Sequence, residues 1–308
     1  MAQLNYRHLY YFLTAAREGG VTAASEVLHV SQPAVSAQIR KLERSLGHDL
    51  FDRSGRSLTL TAEGRIVLDY AGEIFRLGRE LQETVQGRLE GRPLRLTVGV
   101  ADTIPKLIAL RLLQPAFRLS DPIRVDIRED RTDRLLSGLA THDLDLVLSD
   151  MPIPVNVSVR AFNHLLGESP IDLFARAELA TAIRDDFPKS LNGAPFLLPS
   201  EGYTLRRSLD EWFDREGIVP FVVAEIQDSA LTKSFGEEGV GVFAAPSIVG
   251  DRVREKYGVE RVGPADGVVE RFYAITADRR LKHPAVVAIS EDSKRHLFAR
   301  HAPKTPTG

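Results

Sequence analysis

The pattern of apolar and polar positions changes character several times along the chain, and each change predicts a different element. In residues 21–47 two short helical patterns flank a tight turn. Ala23, Ala24, Val27 and Leu28 give the first an apolar face, and Val35, Ile39, Leu42 and Leu46 recur at helical steps in the second. Ala24 is small enough for a partner helix to cross close by, and Val30 seats the turn. Ser31 as N-cap and Pro33 in the first turn place the start of the second helix, because a proline there gives up only an N–H that has no partner inside the helix. Residues 50–61 read as two short apolar segments around a Ser-Gly turn, a hairpin flanked by Arg53 and Arg56. From Thr61, a further N-cap, to about Gly91 no proline interrupts the chain. Ile66, Tyr70, Ile74, Leu77, Leu81 and Val85 recur there at steps of three and four. That spacing predicts one helix of roughly 45 Å, at about 1.5 Å per residue, with a single apolar seam. Gly72, Gly78 and Gly87 each weaken it by up to about 1 kcal/mol, so packing or pairing must hold it.

Gly91-Arg92-Pro93 marks a hinge, after which short apolar strands alternate with helical patterns. LRLTVGV is followed by a helix from Ile104 to about Leu119, IRVDIRED by a helix around Leu135, and then comes LDLVLSD. A second series runs IDLFARA, APFLLPS, a helix from Thr204 to Glu216, PFVVAEI, a helix from about Leu231 to Glu238, and VGVFAAP. RFYAITAD returns the chain to the first series before a last helix from about Pro284 to Arg300. This rhythm predicts βαβ units in two α/β lobes.

The chemistry of the exposed positions singles out two regions. Gln32, Ser36, Gln38, Arg40, Lys41 and Arg44 lie off the apolar face of the second short helix. Gln and Arg can bond base edges, Ser hydroxyls can reach phosphates, and a helix N-terminus offers free N–H groups to phosphate. A generic surface helix would carry similar residues. The hairpin that follows, with Arg53 and Arg56 placed to lie along the backbone or enter a minor groove, favours DNA. In open α/β sheets, ligands sit beyond the carboxyl ends of strands. That rule selects Asp102 and Thr103 after the first strand, Glu129 and Thr132 after the second, Ser200, Tyr203 and Thr204 after APFLLP, and Gln227, Asp228 and Ser229 after FVVAEI. The hydroxyls and helix N-termini suit a small anion, whereas Asp102, Glu129 and Asp228 favour a cation or a hydroxylated ligand. Taken singly, each is an ordinary N-cap; only their shared position at strand ends makes a site. His142, beside Asp143 and Asp145, titrates near neutral pH by type but reads first as a solvated loop residue.

Residues 7–64, RHLYYFLTAAREGGVTAASEVLHVSQPAVSAQIRKLERSLGHDLFDRSGRSLTLTAEG, resemble without gaps the winged-helix DNA-binding domain of LysR-type transcriptional regulators. The resemblance implies that Ser31, Gln32, Pro33, Ala34, Val35, Ser36 and Arg40 open the recognition helix and that LFDRSGRSLTLTAEG forms the wing and its exit. It also implies an effector domain of two lobes folded like periplasmic binding proteins. The fold class expected is therefore α+β and multidomain. A winged helix-turn-helix would occupy residues 1–60, a linker and dimerisation helix 61–92, and an effector domain 93–302. Within the last, lobe I takes 93–163 and 269–302, lobe II takes 164–268, and residues 303–308 form a disordered tail. LNYRHLYYF, VGVADTIPKL, DLDLVLSDMPI, LRRSLDEWFDREGI, DSALTKSFG, VFAAPS and HPAV are similar to the NhaR branch of the family, activators of sodium–proton antiporter genes. Sodium, alkali or osmotic state are then the implied signals, with Asp102, Glu129, Asp228 and His142 as candidate sensors.

Composition narrows this picture. The 308 residues suffice for two or three cores, and the net charge of −2 means that DNA affinity must come from a local basic surface: Arg40, Lys41, Arg44, Arg53 and Arg56. The absence of cysteine excludes disulfides, thiolate catalysis and cysteine metal sites. The opening residues, interrupted by Gln3, Asn5, Arg7 and His8, do not read as a secretory leader, and no apolar run reaches membrane-spanning length. A cytoplasmic location is expected. No G-x-S-x-G elbow, phosphate loop or H-E-x-x-H motif is present, so an enzyme fits poorly and neither cofactor nor metal is expected. A solute-binding protein would match the lobes but not the attached winged helix, and a regulator of a metabolic operon with a small organic inducer is the nearer alternative. The expected partners are double-stranded DNA, a second copy or a tetramer of the chain, RNA polymerase, and a small-molecule or ion effector.

Overall fold

The computed structural model describes residues 4–52, 59–86, 93–154 and 161–299. The chain divides into two compact units, Met1–Arg92 with Ala140–Asp143, and Pro93–Leu139 with Leu144–Gly308. The first contains α1 (Tyr6–Arg17), α2 (Val21–Val27), α3 (Gln32–Leu46), the short strands β1 (Phe51–Asp52) and β2 (Thr59–Leu60), and α4 (Ala62–Gln86). Asn5 caps α1 by accepting from the N–H groups of Arg7 and His8. Phe12, Ala24, Val35, Ile39, Leu42 and Leu50 are fully buried and form one core, on which Leu68, Ala71, Ile74 and Phe75 of α4 also pack. Ala24, on the apolar face of α2, is fully enclosed in that core. Two positions differ from the expected faces: Val27, 52% exposed, and Leu46, 38% exposed, are each the last residue of a helix, where the chain has already turned off the core. The turn between α2 and α3 uses a left-handed residue, His29 (φ +52°), and Gly47 (φ +76°) ends α3 in the same region. Glu43, buried on the inner side of α3, accepts from the N–H groups of Leu50 and Phe51 and so fixes the exit from α3 to β1. β1 and β2 pair antiparallel, Phe51 opposite Leu60, as the hairpin pattern predicts. Thr61 caps α4, its hydroxyl accepting from Gly64 N–H at 2.9 Å.

The second unit runs β3 (Leu94–Ala101), α5 (Lys106–Leu113), β4 (Ile123–Asp130), α6 (Thr132–Ala140), β5 (Leu146–Ser149), β6 (Phe162–Ala175), α7 (Ala177–Arg184), β7 (Pro195–Pro199), α8 (Thr204–Glu216), β8 (Phe221–Ile226), α9 (Ser229–Glu237), β9 (Val242–Pro246), α10 (Gly250–Tyr257), β10 (Glu260–Thr276) and α11 (Pro284–Asp292). The strands are hydrogen-bonded in the order β4-β3-β5-β10-β6-β9-β7-β8. β3 pairs parallel with β4 and β5, and β7 parallel with β8 and β9, so each end of the sheet is a parallel α/β lobe. β6 and β10 run antiparallel through both. At one end β10 pairs with β5, Tyr273 to Ile275 against Val147 to Ser149, and at the other β6 pairs with β9, Ile171 to Phe174 against Phe243 to Pro246.

Several expected extents are corrected. β6 begins at Phe162, well before IDLFARA, because the preceding FNHLLGESP also pairs with β10. β10 is likewise longer than RFYAITAD, so two continuous strands join the lobes. α5 stops at Leu113 and tightens into a 3₁₀ turn, Gln114–Arg118, where Pro115 cannot continue an α-helix. α11 ends at Asp292 and widens into a π turn, Ser293–Leu297. α9 starts at Ser229, earlier than Leu231, because Asp228 caps it. α7 and α10 are not among the elements that the apolar pattern predicts.

Candidate nucleic-acid interface and ligand cleft

α3 presents the polar face that its pattern predicts. Ser31, Gln32, Pro33, Arg40, Lys41 and Arg44 are exposed, and Ala34, Ser36 and Gln38 are half-buried beside them. Val35, Ile39 and Leu42 anchor the opposite face in the core, so the reading face is held by a rigid element. Ser31 occupies the N-cap position (φ −73°, ψ 149°), but its side chain makes no capping hydrogen bond. Its hydroxyl is left at the helix N-terminus, where free N–H groups and the positive end of the helix dipole favour a phosphate. Arg44 bonds back to the Arg40 carbonyl through Nε. Arg53 and Arg56 lie outside the described residues.

Along α4 the seam expected from spacing divides in two. Ile66, Tyr70, Leu77 and Leu81 are exposed by half or more, whereas Ile74 turns inward onto the core of the helical unit. The Val85 side chain lies outside the description. Half-exposed apolar side chains in a row at helical spacing form an unpartnered apolar face.

In the second unit, a cleft of about 570 Å³, open solvent at its mouth included, lies at the carboxyl ends of the parallel strands. About 40 Å³ of it is reachable by the centre of a water molecule, room for a few waters or one small group. Thr103 follows β3, Asp150 follows β5, Tyr203 follows β7, Gln227 and Ser229 follow β8, and Pro246 ends β9, so both lobes contribute, as the strand-end rule requires. Leu197, Ile226 and Ala244 supply apolar wall.

Of the effector residues selected from sequence, the structure brings Thr103, Tyr203, Gln227 and Ser229 to this cleft. Asp228 is spent as a cap, accepting from Ala230 and Leu231 N–H at 2.8 and 2.7 Å. Glu129 is bound to the Lys106 ammonium, which also lies 3.9 Å from Asp228. Asp102 is half-buried, and its pKa is raised by burial first and then by Glu129 and Asp150. Thr132 begins α6, and Ser200 accepts from Tyr203 N–H in the turn before α8, whose first residue is Thr204. Those three are structural positions outside the cleft lining. His142 lies in the loop before β5 with left-handed backbone (φ +56°).

Sequence reasoning missed the three charged residues at the buried end of the cleft: Asp150, Lys233 and Glu270, exposed by only 6%, 4% and 4%. Thr103 donates to Asp150 Oδ1 at 2.6 Å, and Lys233 Nζ donates to the Ser229 carbonyl at 2.8 Å. Glu270 Oε2 is buried with no hydrogen-bond partner. Burial raises the Glu270 pKa to about 8, with Asp150 adding to the rise and Lys233 opposing it. Burial lowers that of Lys233 to about 8, against the attraction of Glu270 and Asp228. Asp150 could have been found, since it ends LDLVLSD at the carboxyl end of β5; Glu270 in mid-strand and Lys233 inside a helix carried no such signal.

Residues 6–65 match the bacterial regulatory helix-turn-helix proteins of the lysR family, and residues 90–297 match the LysR substrate binding domain. Transcriptional activator protein NhaR of Escherichia coli K12 is 33% identical over 300 residues, covering 97% of this chain and 98% of its own. The RuBisCO operon transcriptional regulator of Allochromatium vinosum is 32% identical over 224 residues, 70% of each chain. Among solved structures, ArgP of Mycobacterium tuberculosis superposes with a TM-score of 0.66 at 20% identity, over 95% of this chain and 97% of that one, a likeness of fold.

Proposed function

Because the chain belongs to the LysR family of bacterial regulatory proteins, we propose that it is a sequence-specific transcriptional activator that reads DNA through α3 and takes a small effector in the cleft of its second unit. The observation that carries the reading is α3 itself: a core-anchored helix with Ser, Gln, Arg and Lys on its outer face and an unused N-cap hydroxyl. Its signal, on this reading, is sodium or alkali, and its target an antiporter gene, supported by similarity along the whole length to an activator named NhaR. A ligand held by both lobes shifts the balance between two states by its difference in affinity for them. Such a regulator works beside the chromosome, in the cytoplasm, and contacts RNA polymerase; it is not an enzyme.

The test is a DNase footprint on the DNA upstream of its own gene, in sodium chloride against potassium chloride at matched ionic strength and at two pH values. Protection is expected, and it should shift with sodium or pH. Arg40→Ala should weaken operator binding about tenfold, within the ~1–3 kcal/mol of one base-reading arginine. Ser36→Ala should weaken it less, and neither should alter unfolding of the second unit. Unchanged affinity in both variants would mean that α3 does not read the operator.

The exposed face of α4 gives the second element of the reading: Ile66, Tyr70, Leu77 and Leu81 pair with the same face of a second copy, so that two recognition helices address one dyad-symmetric site. The double variant Leu77→Asp, Leu81→Asp is expected to sediment as a monomer and to lose operator binding. A dimer of undiminished stability would place the interface elsewhere.

A further inference from the structure

The charges at the buried end of the cleft have opposite sign and come from different lobes. Asp150 follows β5 in the first lobe, and Lys233 lies within α9 of the second. Glu270, on the β10 strand that runs through both, is within electrostatic reach of each. Below about pH 8 burial keeps the proton on Glu270, so the floor of the cleft offers one positive charge, one negative charge and a neutral carboxyl group. All three have bonding capacity left. The Lys233 ammonium gives one of its three N–H groups to the Ser229 carbonyl at 2.8 Å. Asp150 Oδ1 accepts from the Thr103 hydroxyl at 2.6 Å, which leaves Oδ2 for another donor. Glu270 Oε2 is buried without a partner.

A lone anion bound to Lys233 would be repelled by Asp150, and a lone cation bound to Asp150 would be repelled by Lys233. A neutral ligand that carries both charges meets each with a charge-assisted hydrogen bond and leaves the net charge of the floor unchanged. The charged groups at the rim offer no competing pair, because Glu129 is bound to Lys106 and Asp228 caps α9. Leu197, Ile226 and Ala244 form the wall against which carbon atoms of the ligand would lie. The reachable volume, about 40 Å³, holds a group the size of a few waters, so the two charges of the ligand must stand close together.

We propose that the cleft binds a small zwitterion, an amino acid of about two to four carbon atoms, its carboxylate on the Lys233 ammonium and the Glu270 carboxyl group and its ammonium on Asp150 and the Thr103 hydroxyl oxygen. This rests on the reading of the cleft as an effector site, and adds an organic ligand to the ionic signal. Because one end of the ligand bonds to each lobe, it favours the state in which Asp150 and Lys233 are both within its reach.

The experiment is titration calorimetry of the full-length protein at pH 7 and fixed ionic strength with glycine, alanine, β-alanine and 4-aminobutyrate. Sodium acetate and methylammonium chloride serve as the two half ligands. Saturable binding of at least one of the four amino acids is expected, with neither half ligand binding at the same concentration. Affinity should fall about tenfold or more in Asp150→Asn and in Lys233→Met, the loss of one charge-assisted hydrogen bond each, and less in Thr103→Val. The proposal is overturned if wild type binds none of the four, if acetate or methylammonium binds as well as they do, or if Asp150→Asn and Lys233→Met bind as wild type does. Footprints on the same samples separate this outcome from the wider reading. A sodium-dependent footprint without amino-acid binding overturns the proposal and leaves the regulator standing, whereas the absence of protection on any neighbouring DNA defeats the regulator reading by itself.

Discussion

Gly64→Ala is expected to abolish operator binding and to lower the stability of the helical unit by about 3 kcal/mol, the upper end of the usual cost of overpacking. A Cβ at residue 64 would stand 2.0 Å from the Leu50 carbonyl oxygen and 3.0 Å from its carbon, with Leu60 Cδ2 at 3.1 Å. The obstacle is backbone and cannot rotate away. Nor can the helix slide, because two bonds tie its cap residue to the chain entering the hairpin, Thr61 N–H to the Leu50 carbonyl at 3.0 Å and the Thr61 hydroxyl to the Asp49 carbonyl at 2.8 Å, and Gly64 N–H is held by that same hydroxyl at 2.9 Å. Accommodating one methyl group therefore means lifting α4 from β1 and β2, which also loosens Leu68 and Ala71 from the core that supports α3. Thermal unfolding with the footprint as second readout checks this. A variant that melts with wild type and protects the same DNA would show that the α4 junction yields at little cost.

The second large effect concerns pH. Glu270 has its pKa raised from 4.5 to about 8 on folding, so between those values the folded state holds a proton that the unfolded chain releases. Stability contributed by this group is complete below pH 4.5 and declines as pH rises toward 8, at up to about 1.4 kcal/mol per pH unit. Lys233 has the opposite sense. Its pKa falls from 10.5 to about 8, so above 8 the unfolded chain holds the extra proton and stability recovers as pH rises toward 10.5. The pair thus places a minimum in the stability of the second unit near pH 8. Subtracting the unfolding free energy of Glu270→Gln from that of wild type, point by point from pH 5 to 8, isolates the glutamate. The difference should fall by several kcal/mol. A flat difference would mean that Glu270 is ionised and compensated throughout the range.

Both effects sit at places where the sequence was least informative, and for related reasons. The helical unit was legible because its elements are local: the cap position and proline at the start of α3, the period of Val35, Ile39 and Leu42, and the turn residues of the hairpin lie within a few residues of what they determine. Gly64, by contrast, looked like an ordinary residue in the first turn of a helix, and only the return of Leu50 against it makes a methyl group intolerable. Ile74 shows the same limit. Its spacing was that of the seam, but the nearness of the core drew it inward.

In the second unit the alternation of strands and helices determined the two lobes, since a parallel strand needs a crossover and the crossover leaves a helical pattern. The strand-end rule led to Thr103, Tyr203, Gln227 and Ser229, because a strand's carboxyl end can be read from the strand alone. It overselected Glu129 and Asp228, whose carboxylates are satisfied by Lys106 and by the N–H groups of α9. What the tertiary structure alone decided is the charge at the bottom of the cleft. Asp150, Lys233 and Glu270 come from a strand end, a helix and a mid-strand position far apart in the chain. Their protonation depends on burial and mutual distance, which no local pattern encodes. The sequence by itself determined which segments fold and which face of α3 is polar, because those follow from period and capping. The packing of distant segments decided which polar groups lose water without gaining a partner.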